Sequence, residues 1–311
     1  MTADSSLNKV VAVVGPTATG KTRAGVLVTK QLGSEVISAD SQLVYRDLTI
    51  GTAKPTLEEQ DGIPHHMIDV TGPEKLYSVS QYQEAAEKIR ETLTGQGKVP
   101  VVVGGTGFYI RALLEEALGQ DVPVDEEFRQ ELKALANEKG VAHLHSLLTE
   151  KDPDRASKLY STDAFRIIRA LEIIRYTGKP VPPNQPRTDL DVTWIGLTYS
   201  NRDLHRQVIE DRVTAMMSAG WEEEVRSLLE TYGPEAEALQ KAHGYPELVQ
   251  YIQGKLNYKE TIQQICLNVQ QYSKRQMTWF KRNQSVRWWQ VDDVPGERLE
   301  RELISTVQGI L

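Results

Sequence analysis

The segment Gly15-Pro16-Thr17-Ala18-Thr19-Gly20-Lys21-Thr22 follows a short apolar run, Lys9–Val14, and precedes a helical pattern that starts near Lys21. A buried strand that runs into a glycine-bounded loop and then a helix is the context in which G-x-x-x-x-G-K-[ST] acts as a phosphate cradle. Glycines let the backbone turn tightly, amide N–H groups converge on phosphate oxygens, and the helix N-terminus adds partial positive charge. All eight residues are therefore candidate phosphate ligands. Lys21 would neutralise phosphate charge, and Thr22 would ligate Mg²⁺ or a phosphate oxygen. The cradle recognises phosphates and not what they carry, so ATP and other diphosphates both remain open at this point.

Two further strands end on similar signals. Glu35–Ser38 leads to Asp40, and Val99–Val103 leads to Gly104-Gly105-Thr106-Gly107. Strands alternating with amphipathic helices predict an α/β fold, a P-loop NTPase-like parallel sheet flanked by helices. Ligands in such sheets bind beyond the carboxyl ends of the strands, where all three motifs lie. Around Gly119 the pattern changes to a long helical stretch, Glu126–Tyr176, closed by Gly178-Lys179-Pro180 and the proline-rich Val181–Arg187. Thr193–Tyr199 then predicts another strand, and beyond Arg202 nearly everything has helical periodicity, including Asp203–Ala219 and Tyr258–Lys281. The expected organisation is a first part of the core over 1–119, an inserted helical lobe over 120–190, and the resumed core with a helical C-terminal region over 191–311.

At 311 residues, with 40% hydrophobic and 25% charged content, the chain can bury one large core plus a smaller lobe. It contains no run of about 18 apolar residues, and its start, MTADSSLNKV, lacks a secretory signal, so no membrane partner and a cytoplasmic location are expected. The single cysteine, Cys266, excludes a disulfide framework, and the six histidines form no metal set and read as loop or surface residues. A net charge of −7 argues against indiscriminate nucleic-acid binding, which depends on basic residues that neutralise phosphates. One stretch inverts that balance. From Gln270 to Gln290 there is no acidic residue, while Lys274, Arg275, Lys281, Arg282 and Arg287 interleave with Tyr272, Trp279, Phe280, Trp288 and Trp289. A phosphate-tracking surface needs such a pattern, although an amphipathic helix with its aromatics in the core has it too.

Asp40 would hold Mg²⁺ through water or accept a proton from an attacking group, with capping of the next helix as the alternative. The residues around it carry more. GPTATGKT, SADSQLVYRDLTIGTAKP, PHHMIDV and VVVGGTGFYIRALLE resemble, in order and spacing, the signature set of the tRNA dimethylallyltransferases. The resemblance runs from about Val10 to the tryptophans near residue 288. It implies transfer of a dimethylallyl group from dimethylallyl diphosphate to N6 of the adenosine 3′-adjacent to the anticodon in tRNA, with the cradle holding a diphosphate leaving group and Mg²⁺ as cofactor.

By the same resemblance, Asp40 is the base that takes the N6 proton and Thr106 contacts the reacting region. Lys21 and Arg212 bind the diphosphate and stabilise the charge that develops on it. Asp40, Ser41, Gln42 and Leu43 would meet the target base. Phe165, Arg166 and Arg169 match a tRNA-contacting segment of the lobe; a helix face with two surface arginines is the alternative there. Gly244 and Tyr245 match a third RNA-contacting turn, within Lys241-Ala242-His243-Gly244-Tyr245-Pro246, whose flanking positions depart from the family pattern. Lys274, Arg275, Lys281 and Arg282 complete the expected tRNA surface. The partners implied are a tRNA anticodon stem-loop and dimethylallyl diphosphate, with the enzyme acting as a monomer. A small-molecule kinase using the same loop with ATP, and an adenylate isopentenyltransferase acting on free nucleotides, are the competing readings.

Overall fold

The computed structural model describes residues 8–117 and 122–310. The chain opens with β1 (Lys9–Val14), α1 (Lys21–Leu32), β2 (Val36–Ser38), α2 (Leu57–Gln60), β3 (His65–His66), α3 (Val79–Gly95), β4 (Val101–Gly104) and α4 (Gly107–Ile110). A π-helical turn, Arg111–Glu115, leads to β5 (Glu116–Ala117), α5 (Glu126–Lys139), α6 (Val141–Lys151), α7 (Pro153–Ala156), α8 (Ala164–Thr177) and β6 (Gln185–Pro186). The remainder is β7 (Asp191–Thr198), α9 (Arg202–Ser218), α10 (Trp221–Tyr232), α11 (Glu237–Lys241), α12 (Tyr245–Ile252), α13 (Tyr258–Phe280), β8 (Arg287–Gln290) and α14 (Gly296–Gln308).

Six parallel strands pair in the order β3-β2-β4-β1-β7-β8, so β1 and its loop lie inside the sheet. The all-apolar sequence of β1 follows from that position, since side chains alternate faces along a strand and both faces here are covered. Val10, Ala12 and Val14 enter one core with Ile37, Tyr82 and Leu113, whereas Val11 and Val13 enter the other with Val28, Leu303 and Val307. This is the expected P-loop NTPase-like α/β fold. The carboxyl ends of β1, β2, β4 and β7 all release their loops at one edge of the sheet, which brings the sequence motifs together.

Two compact units divide the chain: Met1–Glu115 with Arg187–Leu311, and Glu116–Pro186. Within the first unit the two points flanking the insertion are tied together. The Arg187 N–H donates to the Glu115 carbonyl (2.8 Å), and its guanidinium binds Glu87 (2.9 Å) and Asp189 (2.9 Å).

The second unit has its own small core of Leu132, Leu144, Leu148, Ile167 and Leu171. Instead of one long helical stretch, its described residues hold four helices. Gly140, at φ 84°, ends α5, and Pro153 follows the α6 terminus, where the Asp152 carboxylate accepts from the Arg155 (3.0 Å) and Val181 (2.8 Å) amides. Buried Glu172 accepts from the Asp125 amide (2.7 Å) and pairs with Arg129 (3.0 Å) and Arg169. Burial opposes the Glu172 charge, yet these partners outweigh it and hold the carboxyl below its usual range.

The largely helical C-terminal region contains one strand. Arg287–Gln290 is not helical but forms the sheet-edge strand β8, paired with β7. Trp289 consequently belongs to the core, 4% exposed, with its Nε1–H donating to Glu302 (3.1 Å). Four residues are too few to show a period, and Trp-Trp suits a half-covered edge strand as well as a helix.

Candidate active site

The glycine loop is held from three sides. At Gly15 a Cβ atom would fall 2.2 Å from the Leu197 carbonyl oxygen of β7, so loop and strand approach more closely than any side chain allows. Gly20 sits in the left-handed region (φ 79°) at the N-cap of α1, where an L side chain is strained and glycine is not. From α13, Gln276 accepts from the Thr17 amide (2.8 Å) and donates to the Gly105 carbonyl (2.9 Å), bridging the loops that follow β1 and β4. From α9, His205 Nε2 lies 2.9 Å from the Thr17 carbonyl, which can only accept, so the ring carries its proton on Nε2. The Lys21 ammonium rests on the Pro16 carbonyl (2.6 Å). Burial lowers the Lys21 pKa to about 8, with Asp40 opposing that shift and Arg212 adding to it.

Asp40 is placed by the loop after β4. The Ala39 amide donates to the Val103 carbonyl (2.7 Å), the Thr106 amide donates to the Ala39 carbonyl (3.1 Å), and Thr106 Oγ1 accepts from the Ser41 amide (2.9 Å). Thr106 makes no side-chain cap to α4, so its hydroxyl serves the Asp40 loop instead of the helix it precedes. No helix follows Asp40 directly. Its Oδ1 accepts from the Gln42 amide two residues on (2.8 Å), an Asx turn that fixes the carboxylate. The Asp40 charge is felt by Lys21 and Arg212, and by His243 and Tyr272. Burial pushes His243 down and Tyr272 up, and their rings lie 4.1 Å apart.

Two adjoining clefts meet here. The first contains the cradle residues Thr17 to Thr22 and Leu43, and encloses about 700 Å³, part of it open to solvent. The second has the apolar walls Ile209, Val213, Met216, Trp221 and Val269, and ends on His243 and Tyr272. Thr17, Ala18, Lys21, Asp40, Thr52 and Arg212 line both, so the two cations and the carboxylate form a wall that the two clefts share. Arg212 is half-buried, and burial pushes its guanidinium down against the pull of Asp40 and Glu59.

Several supporting residues carried no signal in the sequence. Glu224 of α10 accepts from three successive amides, Thr49 (2.9 Å), Ile50 (2.7 Å) and Gly51 (3.3 Å), and from the Tyr245 hydroxyl (2.7 Å). Trp221 packs directly on Gly51 and Gly244. This cluster sets the course of the loop through Gly51 and Thr52 that lines both clefts. Gln276, His205 and His243 were likewise missed as site residues; both histidines are half-buried, His243 in the wall of the second cleft and His205 against the glycine loop.

The residues expected to meet RNA are more dispersed. Gln42 and Leu43 face the clefts, and Ser41 is engaged by Thr106. Lys274 and Lys281 line a separate cavity with α9, Arg275 lies 5.9 Å from the Tyr272 ring, and Arg282 is exposed. In the second unit, Phe165 is 79% exposed, Arg166 pairs with Asp163 (3.4 Å), and Arg169 binds Glu172 and the Val122 carbonyl (2.9 Å). Lys241 pairs with Glu237 on its own helix. Tyr245 corrects an expectation: it is fully buried, its hydroxyl spent on Glu224, so it shapes the Gly51 loop from the core and offers RNA no surface.

Among the described residues no three His, Cys, Asp or Glu side chains converge on a metal position. Thr22 and Asp40 nevertheless bring two oxygens to the first cleft. That suits Mg²⁺, which takes few protein ligands and completes its shell with phosphate and water.

The IPP transferase family model matches residues 43–283, and the isopentenyl transferase model matches residues 8–72. A tRNA dimethylallyltransferase of Caldanaerobacter subterraneus subsp. tengcongensis is 41% identical over 97% of this chain and 98% of its own. One of Shouchella clausii is 42% identical over 91% of both. Among solved structures, the full-length tRNA isopentenylpyrophosphate transferase of Bacillus halodurans superposes with a TM-score of 0.73 at 38% identity, over 97% of this chain and 96% of that one. A eukaryotic dimethylallyltransferase acting on tRNA gives a TM-score of 0.75 at 25% identity, over 91% of this chain and 74% of its own.

Proposed function

Because the chain belongs to the IPP transferase family, we propose that it acts as a tRNA dimethylallyltransferase, moving the dimethylallyl group of dimethylallyl diphosphate to N6 of the adenosine 3′-adjacent to the anticodon and releasing diphosphate. The observation that carries this reading is the shared wall: Lys21, Arg212 and Asp40 border both clefts, so an anionic leaving group and a proton-bearing nucleophile would meet at one place. Loop amides, Lys21 and Arg212 bind the diphosphate. As the allylic C–O bond breaks, its electron pair leaves with the diphosphate, and these groups stabilise the growing charge more than they did the ground state. Thr22 would hold Mg²⁺ against the diphosphate, where the ion would supply further neutralisation, leaving Asp40 free to act as the base.

The adenine amine attacks the allylic carbon. Its N–H becomes acidic as the C–N bond forms, and the Asp40 carboxylate takes that proton. Thr106 is a positioning residue in this scheme, acting through the Ser41 amide and hence through the Asp40 loop. A base inside the clefts has left its stack, at low cost in a single-stranded loop. The insertion, with Phe165 exposed for stacking and Arg166 beside it, and the basic stretch Lys274–Arg282 supply contacts for the anticodon stem-loop. The enzyme is proposed to act as a monomer. The reaction is proposed to take place in the cytoplasm; no helix among the described residues is long and apolar enough to cross a membrane.

The test is transfer of label from dimethylallyl diphosphate to bulk tRNA, with AMP and ATP-dependent phosphorylation as controls. Asp40→Ala is expected to abolish transfer while tRNA affinity stays largely intact. Normal turnover with strongly weakened binding would overturn the base assignment.

A further inference from the structure

At the carboxyl end of β2 a buried hydroxyl is left without a hydrogen bond. Ser38 is 3% exposed and its backbone carbonyl accepts from the Tyr82 hydroxyl (3.0 Å), yet its Oγ has no partner among the described residues. A buried hydroxyl left unpaired carries its full desolvation penalty, and folded proteins keep few of them. The register of the sheet gives the direction of this side chain. Ser38 pairs with Val103 and Val36 with Val101, and those two pair in turn with Val13 and Val11. Residues paired in register share a face of the sheet, and Val11, Val13 and Val101 pack on the side that α1 covers. Ser38 therefore points to the side where α1 begins with Lys21 and Thr22.

His65 of β3 pairs with Val36 and so shares that face, whereas His66 points to the other side and is spent on Glu35 (2.6 Å). The His65 Nδ1 lies 2.8 Å from the Ile63 carbonyl, which can only accept, so Nδ1 carries the proton and Nε2 of the neutral ring keeps a lone pair. Burial favours the neutral ring. No hydrogen bond among the described residues uses His65 Nε2. Thr22, Ser38 and His65 all line the first cleft, so two unused acceptors face the space in which Thr22 would hold Mg²⁺.

We propose that Ser38 and His65 are positioning residues for the metal, accepting hydrogen bonds from water ligands of the Mg²⁺ that Thr22 holds against the diphosphate. Mg²⁺ gives up its waters reluctantly and takes few ligands from protein. A water on the ion has committed its lone pair to the metal and can only donate, so it needs acceptors, and the groups that accept from it fix the ion in place. The Ser38 hydroxyl and His65 Nε2 are acceptors of that kind. The inference rests on the proposed function and deepens it: with these two groups available to the ion's waters, the Asp40 carboxylate stays available to the adenine amine.

The test uses the full chain as Ser38→Ala and, separately, as His65→Asn, whose amide can keep the bond to the Ile63 carbonyl while the Nε2 acceptor is removed. Without metal, Ser38→Ala is expected to unfold thermally at or above the wild-type temperature, because its hydroxyl has no partner to lose. A clear loss of stability would show that the hydroxyl is already paired and would overturn the proposal. The affinity of each protein for a thiolo analogue of dimethylallyl diphosphate, which cannot be transferred, is then measured calorimetrically over a Mg²⁺ series. The Mg²⁺ concentration that gives half of the effect is expected to rise about tenfold or more in each variant. Folded variants with the wild-type Mg²⁺ response overturn the proposal and leave an ordinary buried water as the partner of the two groups. A wild-type affinity indifferent to Mg²⁺ overturns it together with the metal assignment. Label transfer from dimethylallyl diphosphate to tRNA by the wild type is measured separately and reports on the transferase reading alone.

Discussion

Replacing Glu224 tests whether the walls of the two clefts are set from outside them. Its carboxylate is the common acceptor for the Thr49, Ile50 and Gly51 amides and the Tyr245 hydroxyl. Glu224→Ala leaves four donors without that acceptor, two of them on half-buried backbone and one on a fully buried tyrosine. At about 1–3 kcal/mol for each buried group left unpaired, less where water reaches the exposed Thr49, the loss comes to about 3–5 kcal/mol. Glu224→Gln keeps the shape and separates the effects. The two short bonds to Thr49 and Ile50 share Oε2, so the amide oxygen is expected there, with the NH₂ turned to the other side. Tyr245 can rotate its hydroxyl to accept, and only the 3.3 Å bond to Gly51 is lost outright. A cost of about 1–2 kcal/mol follows, including the lost charge assistance. Urea denaturation measures both variants, and steady-state transfer should show raised KM values, because the Gly51–Thr52 segment lines the clefts. A Glu224→Ala protein within ~0.5 kcal/mol of the wild type, a typical surface substitution, would refute the reasoning.

Two other outcomes follow from the cradle. Lys21 titrates near 8 in the free protein, and a bound diphosphate favours its charged form, so binding takes up a proton above that pH. Affinity for a non-transferable thiolo analogue of dimethylallyl diphosphate should be full below pH 8 and fall by up to about tenfold per unit above it, since phosphate's own last proton leaves near pH 6; Lys21→Arg should flatten the curve, and a wild-type affinity constant from pH 7 to 9.5 would contradict the assignment. Gln276→Leu strands the Thr17 amide and the Gly105 carbonyl, costs about 2–4 kcal/mol and weakens diphosphate binding; thermal unfolding and titration with the same analogue check both, and an unaltered affinity would show that the bridge does not shape the cradle.

What the sequence displayed well were long periodic elements and motifs at strand ends. β1 and β7 read as apolar runs, α9 and α13 as amphipathic helices within a residue or so of their observed bounds, and three residues singled out there, Lys21, Asp40 and Arg212, border both clefts. Elements of two to four residues were not readable: β3 and β8 exist because neighbouring strands pair with them, not because His-His or Arg-Trp-Trp-Gln has a period. The supporting side chains were hidden for a related reason. Gln276 lies 259 positions from the amide it binds, and Glu224 lies 173 to 175 positions from its three amides, so no local pattern could have paired them. Tyr245 misled because a glycine-tyrosine turn looks alike whether the ring faces solvent or the core.

The knot of Arg187 with Glu115, Glu87 and Asp189 means that the polypeptide departs from the larger unit and comes back to it at practically one address. Whatever is threaded between those two residues adds little to the entropy of closing the larger unit, because closure cost grows only logarithmically with loop length. Segments of different length and sequence can therefore be carried there without rerouting the strands, leaving evolution free to restyle the excursion while the chemistry beneath it stays as it is.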